Sequence, residues 1–266
     1  MTDSRDGLEP FAAFAEELAE AARLVTRHYF RTPVAVDSKA DESPVTVADR
    51  ETEARLRDLI VRRFPDHGIV GEEHGSERRD AEFVWVLDPI DGTKAFITGN
   101  PLFGTLIALT RGGSALLGVI DMPILGERWI GAEGLPTQHI DATGRRAARV
   151  RSCPSLDRAV LQSTHPDMFT GADSDGFQRL GQAVKTTRYG GDCFSYAQLS
   201  SGFVDLVVEA GLQPYDFMAL LPVIENAGGR ATDWQGRPLT LDSDGHIIAA
   251  GDPGLVAPAS LCLKSS

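Results

Sequence analysis

A strand that leads into two carboxylates and a tight turn constrains this chain more than any other feature. Residues 83–87 are mostly apolar, and Asp88-Pro89-Ile90-Asp91-Gly92-Thr93 follows them directly. Pro89 lacks a backbone donor and fixes φ at about −65°, so we expect the strand to stop there and the two aspartates to splay around a turn. Both carboxylates can then reach one point in space.

The residues after this turn suit an anion. Gly92 allows a ligand to approach the backbone closely, and a helix that begins near Thr93 offers free amides to a phosphate. Carboxylates bind hard cations such as Mg²⁺, which polarise phosphate. Taken alone, the segment also fits an ordinary polar surface turn. Other acidic residues at predicted strand ends or turns favour the metal and phosphate site: Asp49, Glu72, Glu73, Glu209 and Asp216.

Composition narrows the class of partner. The chain has 266 residues, with 26 Lys and Arg against 38 Asp and Glu, for a net charge of −12. This charge disfavours nucleic acid and anionic membranes as partners, and it repels a phosphate ester unless the site binds cations. Three widely spaced cysteines predict neither disulfides nor a zinc site. Neither a signal peptide nor a long apolar run is evident, so we expect a cytoplasmic protein.

Hydrophobic periodicity predicts alternating helices and strands. Apolar residues recur at helical spacing over residues 9–30, and a second helix is expected from Val47, because Thr46 and Asp49 have capping-box spacing. A short strand is predicted at Val34-Ala35-Val36, and one helix at residues 217–226. Further strands are predicted at 69–70, 83–87, 102–110, 115–122, 127–132, 159–163, 203–208 and 246–250.

The polar stretch from Gly134 to Ser152 is the predicted domain boundary. It divides the chain into an N-terminal α+β domain, residues 1–150, which carries most metal ligands, and a C-terminal α/β domain, residues 151–266, which supplies Asp216 and substrate contacts. Other catalytic classes find no support in the sequence. The six histidines have no ligand spacing, and there is no nucleophile elbow, phosphate-binding P-loop or dinucleotide fingerprint.

Three acidic motifs together resemble the inositol monophosphatase superfamily of lithium-sensitive, magnesium-dependent phosphatases. They are Gly71-Glu72-Glu73, the segment Asp88 to Thr93, and Tyr215-Asp216, where the family usually has Trp-Asp. The resemblance extends from the first helix to Gly228-Gly229. It implies an α/β fold, a layered αβαβα sandwich, and it leads us to expect a homodimer.

The resemblance also implies the metal ligands. Glu72, Asp88 and the carbonyl of Ile90 are expected to hold one Mg²⁺, and Asp88, Asp91 and Asp216 a second. The family often binds a weaker third ion near Glu72. Thr93, paired with Asp49, is expected to orient or deprotonate the attacking water, and the amides near Gly92 and Thr93 to bind phosphate oxygens.

Further segments resemble the histidinol-phosphatase branch of the superfamily. They are Lys94, Asn100 to Thr105, Gly190-Gly191-Asp192 and Leu212 to Asp216. Histidinol phosphate carries an ammonium group, so we expect Asp192 and Glu209 to contact it, with Gly191 and Arg188 nearby. Two alternatives remain open: Asp192 is a helix N-cap, and Glu209 pairs with Arg188 instead of substrate.

The predicted function is Mg²⁺-dependent hydrolysis of histidinol phosphate in histidine biosynthesis. The nearest alternative is an inositol-1-phosphate or broad sugar-phosphate phosphatase, and a nucleotide 3′-phosphatase ranks below it. A regulatory protein that keeps the fold and binds other proteins is the alternative from another class. The intact set of acidic residues weighs against it.

Overall fold

Two large β-sheets alternate with three layers of helices in this protein. The computed structural model describes residues 7–33, 35–38 and 44–264. The layers follow the order helices, sheet, helices, sheet, helices. This is the predicted αβαβα sandwich.

The first helical layer contains α1 (Glu9–Tyr29) and α2 (Val47–Arg63). The apolar side of α1, with Phe14, Leu18 and Ala22, packs against the larger sheet. The predicted capping box starts α2, because Thr46 Oγ1 accepts from the amide of Ala48 and Asp49 Oδ2 accepts from the amide of Thr46.

A two-stranded antiparallel ribbon connects these helices. Strand β1 (Val36–Ser38) pairs with β2 (Pro44–Thr46). The predicted strand at residues 34–36 is therefore displaced toward the C-terminus, and its first residue, Val34, lies outside the described residues.

The larger sheet has eight strands in the order β10-β9-β8-β7-β6-β5-β3-β4. Only the β3–β5 pair is parallel among the pairings of this sheet's described strands. The strands are β3 (Gly68–Gly71), β4 (Gly75–Glu77), β5 (Phe83–Asp91), β6 (Gly104–Arg111), β7 (Ser114–Met122), β8 (Glu127–Ala132), β9 (Leu135–Asp141) and β10 (Gly144–Ala147). The last two occupy the stretch predicted as a polar boundary, and a division into domains near residue 150 stays a prediction.

Strand β5 does not stop at Pro89, as the sequence predicted. It continues to Asp91, and its pairing with β6 shifts register between Asp88 and Asp91. The proline is tolerated because pairing with β3 has already ended at Leu87, so its missing N–H leaves no ladder bond unmade on that side. Its carbonyl accepts a 2.8 Å hydrogen bond from the Thr105 hydroxyl.

The second sheet has five strands in the order β12-β11-β13-β15-β14. They are β11 (Val160–Ser163), β12 (Thr186–Tyr189), β13 (Leu206–Glu209), β14 (Arg230–Thr232) and β15 (Ile247–Ala250). The middle helical layer contains α5 (Cys193–Ser200), α6 (Pro214–Phe217) and α7 (Leu220–Glu225), and the outer layer contains α4 (Ala172–Ala183) and α8 (Val256–Leu263). The helix predicted over residues 217–226 is observed as α7, which begins three residues later, and only Phe217 of the predicted span belongs to α6.

Three-residue turns of 3₁₀-helix and one very short α-helix complete the described elements. The 3₁₀ segments are Leu156–Arg158, Pro166–Met168 and Pro253–Leu255, and the short helix is α3 (Thr93–Ile97). In the described part of the chain, no helix is long and apolar enough to cross a bilayer.

Alternation along β5 decides where its carboxylate points. Trp85 and Leu87 pack against the first helical layer, whereas Val84 and Val86 belong to the core shared with the middle helices and the second sheet. Because successive side chains of a strand face opposite sides, Asp88 continues the series of Val84 and Val86. The fold thus turns Asp88 toward the second half of the chain.

Candidate active site

Three carboxylates from distant parts of the chain meet where β5 ends. An oxygen of Asp88, one of Asp91 and one of Asp216 lie within 4.8 Å of one another. Asp88 and Asp91 come from β5, whereas Asp216 comes from α6, where its Oδ2 accepts a 2.7 Å hydrogen bond from the amide of Gln213. The sequence predicted this convergence.

Electrostatics at this cluster favour a cation. Burial raises the pKa of Asp88 well above its usual value, and the charges of Glu72, Asp91 and Asp216 raise it further. Burial and the charge of Asp216 raise the pKa of Asp91 to about 7. Crowded carboxylates of this kind are stabilised by a divalent ion, and an all-oxygen donor set suits Mg²⁺ or a similar hard cation.

Glu72 lies beside Asp88 in the turn between β3 and β4. Its amide donates to the carbonyl of Leu87, the residue before Asp88, over 3.3 Å. Its charge is the second cause of the raised pKa of Asp88, after burial. The turn therefore adds a fourth acidic side chain to the cluster.

Thr93 and Asp49 approach each other at the start of α3. The Thr93 hydroxyl lies 3.4 Å from Asp49 Oδ1 and 3.1 Å from the carbonyl oxygen of Ile90. A hydroxyl has one proton to donate, so the shorter contact to Ile90 is the better hydrogen bond and the contact to Asp49 lies at the limit of hydrogen-bond length. Burial raises the pKa of Asp49, which favours its acting as a proton acceptor.

Gly92 gives the turn its shape. Its φ of +86° lies in the left-handed region, which glycine adopts without a Cβ clash. A Cβ at this position would lie 3.0 Å from Cγ of Asp192. Glycine is therefore required both by the backbone and by the neighbouring carboxylate.

A cavity of about 830 Å³ opens beside this cluster. Most of the predicted site residues line it, namely Glu72, Asp91, Gly92, Thr93, Gly191, Asp192, Glu209 and Asp216. Asp49, Asp88 and Ile90 are buried behind its wall. Arg188 is exposed on β12 and lies outside the wall that the described residues form.

Asp192 points its carboxylate into the cavity. It occupies the N-cap position of α5, as the N-cap alternative predicted, but its side chain makes no capping hydrogen bond. Its φ of +46° is unusual for a residue with a Cβ, which indicates a backbone held by its surroundings. Burial, together with Asp91 and Glu209, raises the pKa of Asp192 to about 8.

Glu209 is buried at the end of β13 with two protein partners. Its Oε1 accepts a 2.8 Å hydrogen bond from the amide of Thr164, and its Oε2 accepts a 2.7 Å hydrogen bond from the hydroxyl of Tyr196. The two oxygens of Glu209 thus accept from Thr164 and Tyr196, and not from Arg188 as the alternative predicted. Burial still raises the pKa of the Glu209 carboxyl.

Sequence reasoning missed several residues of the cavity wall. Lys94, Thr164, His165, Asp167, Cys193 and Tyr196 all line it. Lys94 could have been found, because it follows Thr93 at the start of a helix beside the site. Tyr196 could not, because its spacing within α5 matches an ordinary core position.

Comparison with known proteins agrees with this geometry. The model described as the inositol monophosphatase family matches residues 7–262. A protein of Arabidopsis thaliana named bifunctional phosphatase IMPL2, chloroplastic, is 47% identical over 254 residues, which cover 92% of this chain and 72% of that protein. A histidinol-phosphatase of Chlorobaculum parvum is 36% identical over 250 residues, covering 91% and 93%. The structure of an inositol monophosphatase from Zymomonas mobilis superposes with a TM-score of 0.88 at 46% identity, covering 97% of this chain and 98% of that one.

Proposed function

Because this chain belongs to the inositol monophosphatase family of phosphatases, we propose that it hydrolyses histidinol phosphate to histidinol and phosphate with Mg²⁺. The observation that carries the choice of substrate is the carboxylate of Asp192, which faces the cavity free of a capping role. The relative named histidinol-phosphatase supports the same choice.

The residues present fit the metal that members of this family use. Glu72, Asp88, Asp91, Asp216 and the carbonyl of Ile90 would hold two Mg²⁺ ions, and Glu72 would lie near a weaker third ion. Bound Mg²⁺ supplies Lewis acidity to the phosphate, the attacking water and the leaving alkoxide. The Thr93 hydroxyl lies within reach of both the carbonyl of Ile90 and Oδ1 of Asp49, so it can donate its one proton to either oxygen.

Thr93 and Asp49 would together orient or deprotonate the attacking water. The buried Asp49 carboxylate accepts the hydroxyl proton of Thr93, which leaves the Thr93 oxygen free to accept a hydrogen bond from water. Glu72, whose charge raises the pKa of both Asp49 and Asp88, would serve as the second group that polarises this water. No covalent enzyme intermediate is needed.

Substrate recognition would divide the cavity into two parts. Backbone amides at Gly92 and Thr93 would hold the phosphate oxygens. Asp192 and Glu209, two acidic groups of the wall that are not proposed metal ligands, would face the ammonium and imidazole groups of histidinol. A neutral polyol gains far less from these charges, so the pair discriminates against inositol phosphates. Gly191 lets the chain turn sharply before Asp192, with a φ of +123°.

Hydrolysis of inositol-1-phosphate is the second candidate, and the likeness to the Zymomonas mobilis inositol monophosphatase favours it. The deciding experiment compares kcat/KM for the two esters under saturating Mg²⁺. We expect a strong preference for histidinol phosphate. A preference for inositol-1-phosphate would replace the proposed substrate while leaving the phosphatase activity intact.

We also propose that the protein works as a cytoplasmic homodimer. The two halves of one chain pack against each other through a shared core. A dimer is therefore expected to form through other surfaces, outside the cavity. Sedimentation analysis at micromolar concentration tests the state of association directly, and a monomer throughout would contradict it.

A further inference from the structure

Glu53 is a fully buried carboxylate outside the set of predicted site residues. It lies on α2 with 0% of its surface exposed. Its Oε2 accepts a 2.6 Å hydrogen bond from the amide of Glu73, and its Oε1 accepts a 3.1 Å hydrogen bond from the amide of His74. Arg57 Nε donates to the same Oε1 over 2.7 Å. All three donors point at one carboxylate behind the turn that carries Glu72.

Arg57 extends this contact to the far side of the turn. Its guanidinium also donates to the carbonyl of Gly75 and, over 3.1 Å, to Oε1 of Glu77. Glu53 and Arg57, which we call the clamp, therefore hold the backbone from residue 73 to residue 75 and the start of β4. The amide of Glu72 itself is held by the carbonyl of Leu87 on β5.

Gly71 makes room for the clamp. A Cβ at this position would lie 2.1 Å from Oε1 of Glu53, so any side chain would push the carboxylate away from the turn. The glycine does not need its backbone freedom here, because its φ lies outside the left-handed region. Its absence of a side chain serves the approach of Glu53.

We propose that Glu53 is a positioning residue that sets the affinity of the site for Mg²⁺ by fixing the turn that presents Glu72. This inference rests on the proposed function, in which Glu72 is a metal ligand. A buried ion pair is a poor device for stability alone, because desolvation offsets most of its attraction. It is an effective device for orientation, since the planar guanidinium and the carboxylate bind the turn at fixed angles.

The test measures metal binding in the absence of substrate, with Mn²⁺ as the probe. Free Mn²⁺ is counted by electron paramagnetic resonance in wild type and in Glu53→Gln. The glutamine keeps the shape but presents an amide N–H₂ to the amides of the turn, so we expect the dissociation constant for Mn²⁺ to rise roughly tenfold or more. Hydrogen exchange of a peptide covering residues 71–77 in metal-free protein should quicken in the same variant.

Asp205→Asn is the matched control. Asp205 is also a buried carboxylate that accepts hydrogen bonds from an arginine, Arg151, and from a backbone amide, that of Val160. It precedes β13, at the end of that strand opposite Glu209. This variant should lower Tm and leave the affinity for Mn²⁺ unchanged.

The proposal would be overturned if Glu53→Gln bound Mn²⁺ as tightly as wild type while its Tm fell as in Asp205→Asn. Glu53 would then be a stabilising residue only. If Glu53→Gln does not fold, Arg57→Lys serves instead, because lysine keeps the charge but cannot reach Glu53, Gly75 and Glu77 together. A smaller rise of the dissociation constant supports the proposal there, and an unchanged constant overturns it. Wild-type protein that fails to bind Mn²⁺ would instead overturn the proposed function.

Discussion

The amide of Cys193 donates a 2.6 Å hydrogen bond to Oδ2 of Asp91, a residue 102 positions earlier in the chain. Cys193 is the first residue of α5, so a helix of the second half begins on a carboxylate of the first. This bond opposes the rise in the pKa of Asp91 that burial and Asp216 cause. It also fixes the orientation of the Asp91 carboxylate, one oxygen of which lies in the cluster with Asp88 and Asp216.

Asp91→Asn separates these two roles. The amide oxygen can still accept from Cys193, whereas the charge that would bind metal is lost. We expect turnover to fall by roughly a thousandfold, because a metal stabilises the transition state by several kcal/mol. In EDTA, however, Tm should rise, since the variant removes a buried like charge beside Asp216.

Asp88→Asn and Asp216→Asn should likewise lower turnover and raise the Tm of the metal-free protein. The measurements are steady-state kinetics at saturating Mg²⁺ and thermal unfolding with EDTA. Near wild-type turnover in any of the three would contradict the proposed ligand set.

Removal of metal should abolish activity reversibly. EDTA leaves Asp88, Asp91 and Asp216 without a cation, and added Mg²⁺ should restore the full rate. Li⁺ should inhibit, because a monovalent ion in a divalent site supplies too little charge to neutralise the leaving alkoxide. Initial rates across a Li⁺ series, with K⁺ as the control for ionic strength, measure this. Turnover that resists EDTA would contradict metal dependence. Lithium insensitivity would contradict only the lithium sensitivity that the family resemblance implies.

The sequence predicted those parts of the site that local chemistry determines. The capping box of Thr46 and Asp49 and the turn at Gly92 depend on neighbours within three residues, and both are observed. The acidic residues were found at predicted strand ends and turns, and the resemblance to the family implied which of them bind metal.

Contacts between distant segments could not be predicted in this way. A glutamate in a predicted helix, such as Glu53, is normally expected to be exposed. Only the fold shows that Glu53 accepts hydrogen bonds from the amides of residues 73 and 74. Strands β12 and β14 have four and three residues, which is too few for a periodic pattern. Strand β5 passes Pro89 because its neighbour β3 ends first, a fact of pairing that the sequence of β5 does not contain.

Asp192→Asn tests the choice of substrate. Asparagine tolerates the positive φ of this position, so the variant removes charge with little backbone cost. A hydrogen bond to a charged group contributes about 1.5–3 kcal/mol, so kcat/KM for histidinol phosphate should fall roughly 10- to 100-fold. The value for inositol-1-phosphate should change much less.

Asp167→Asn is the control for this experiment, because Asp167 is an exposed acid on the same cavity wall. It should leave kcat/KM for both esters near the wild-type values. An equal loss for both esters in Asp192→Asn would show that this carboxylate does not recognise the cation.

Tyr196→Phe tests the role of Glu209 without replacing the Glu209 side chain. The variant removes the 2.7 Å hydrogen bond to Oε2 and keeps the bond from Thr164 to Oε1. A less restrained carboxylate should raise KM for histidinol phosphate about tenfold, the equivalent of one charged hydrogen bond, and change kcat little. Tyr189→Phe, at an exposed position on β12, is the control. A fall in Tm with an unchanged KM would assign Glu209 to stability alone.

His67 lies outside the site and should make the stability of the protein depend on pH. His67 Nδ1 accepts a 3.1 Å hydrogen bond from Trp85 Nε1, and its ring stacks on Phe64 with centroids 4.6 Å apart. Burial lowers the pKa of His67, against the opposing charges of Asp66 and Glu82. Its neutral form is therefore the one that the folded state prefers, and protonation of Nδ1 would remove the acceptor that Trp85 uses.

The sign of the pH dependence follows from this lowered pKa. In the unfolded chain His67 titrates at about 6.5. Its contribution to stability is thus fully present above that value and is lost as pH falls through the lower pKa of the folded state. His67→Gln keeps a side-chain oxygen as acceptor for Trp85 but cannot titrate. It loses the ring contact with Phe64, so its free energy of unfolding should lie below that of wild type at pH 8. That difference should shrink between pH 7 and pH 5, as measured by urea unfolding. Parallel stability curves for the two proteins across this range would show that His67 does not titrate differently in the folded state.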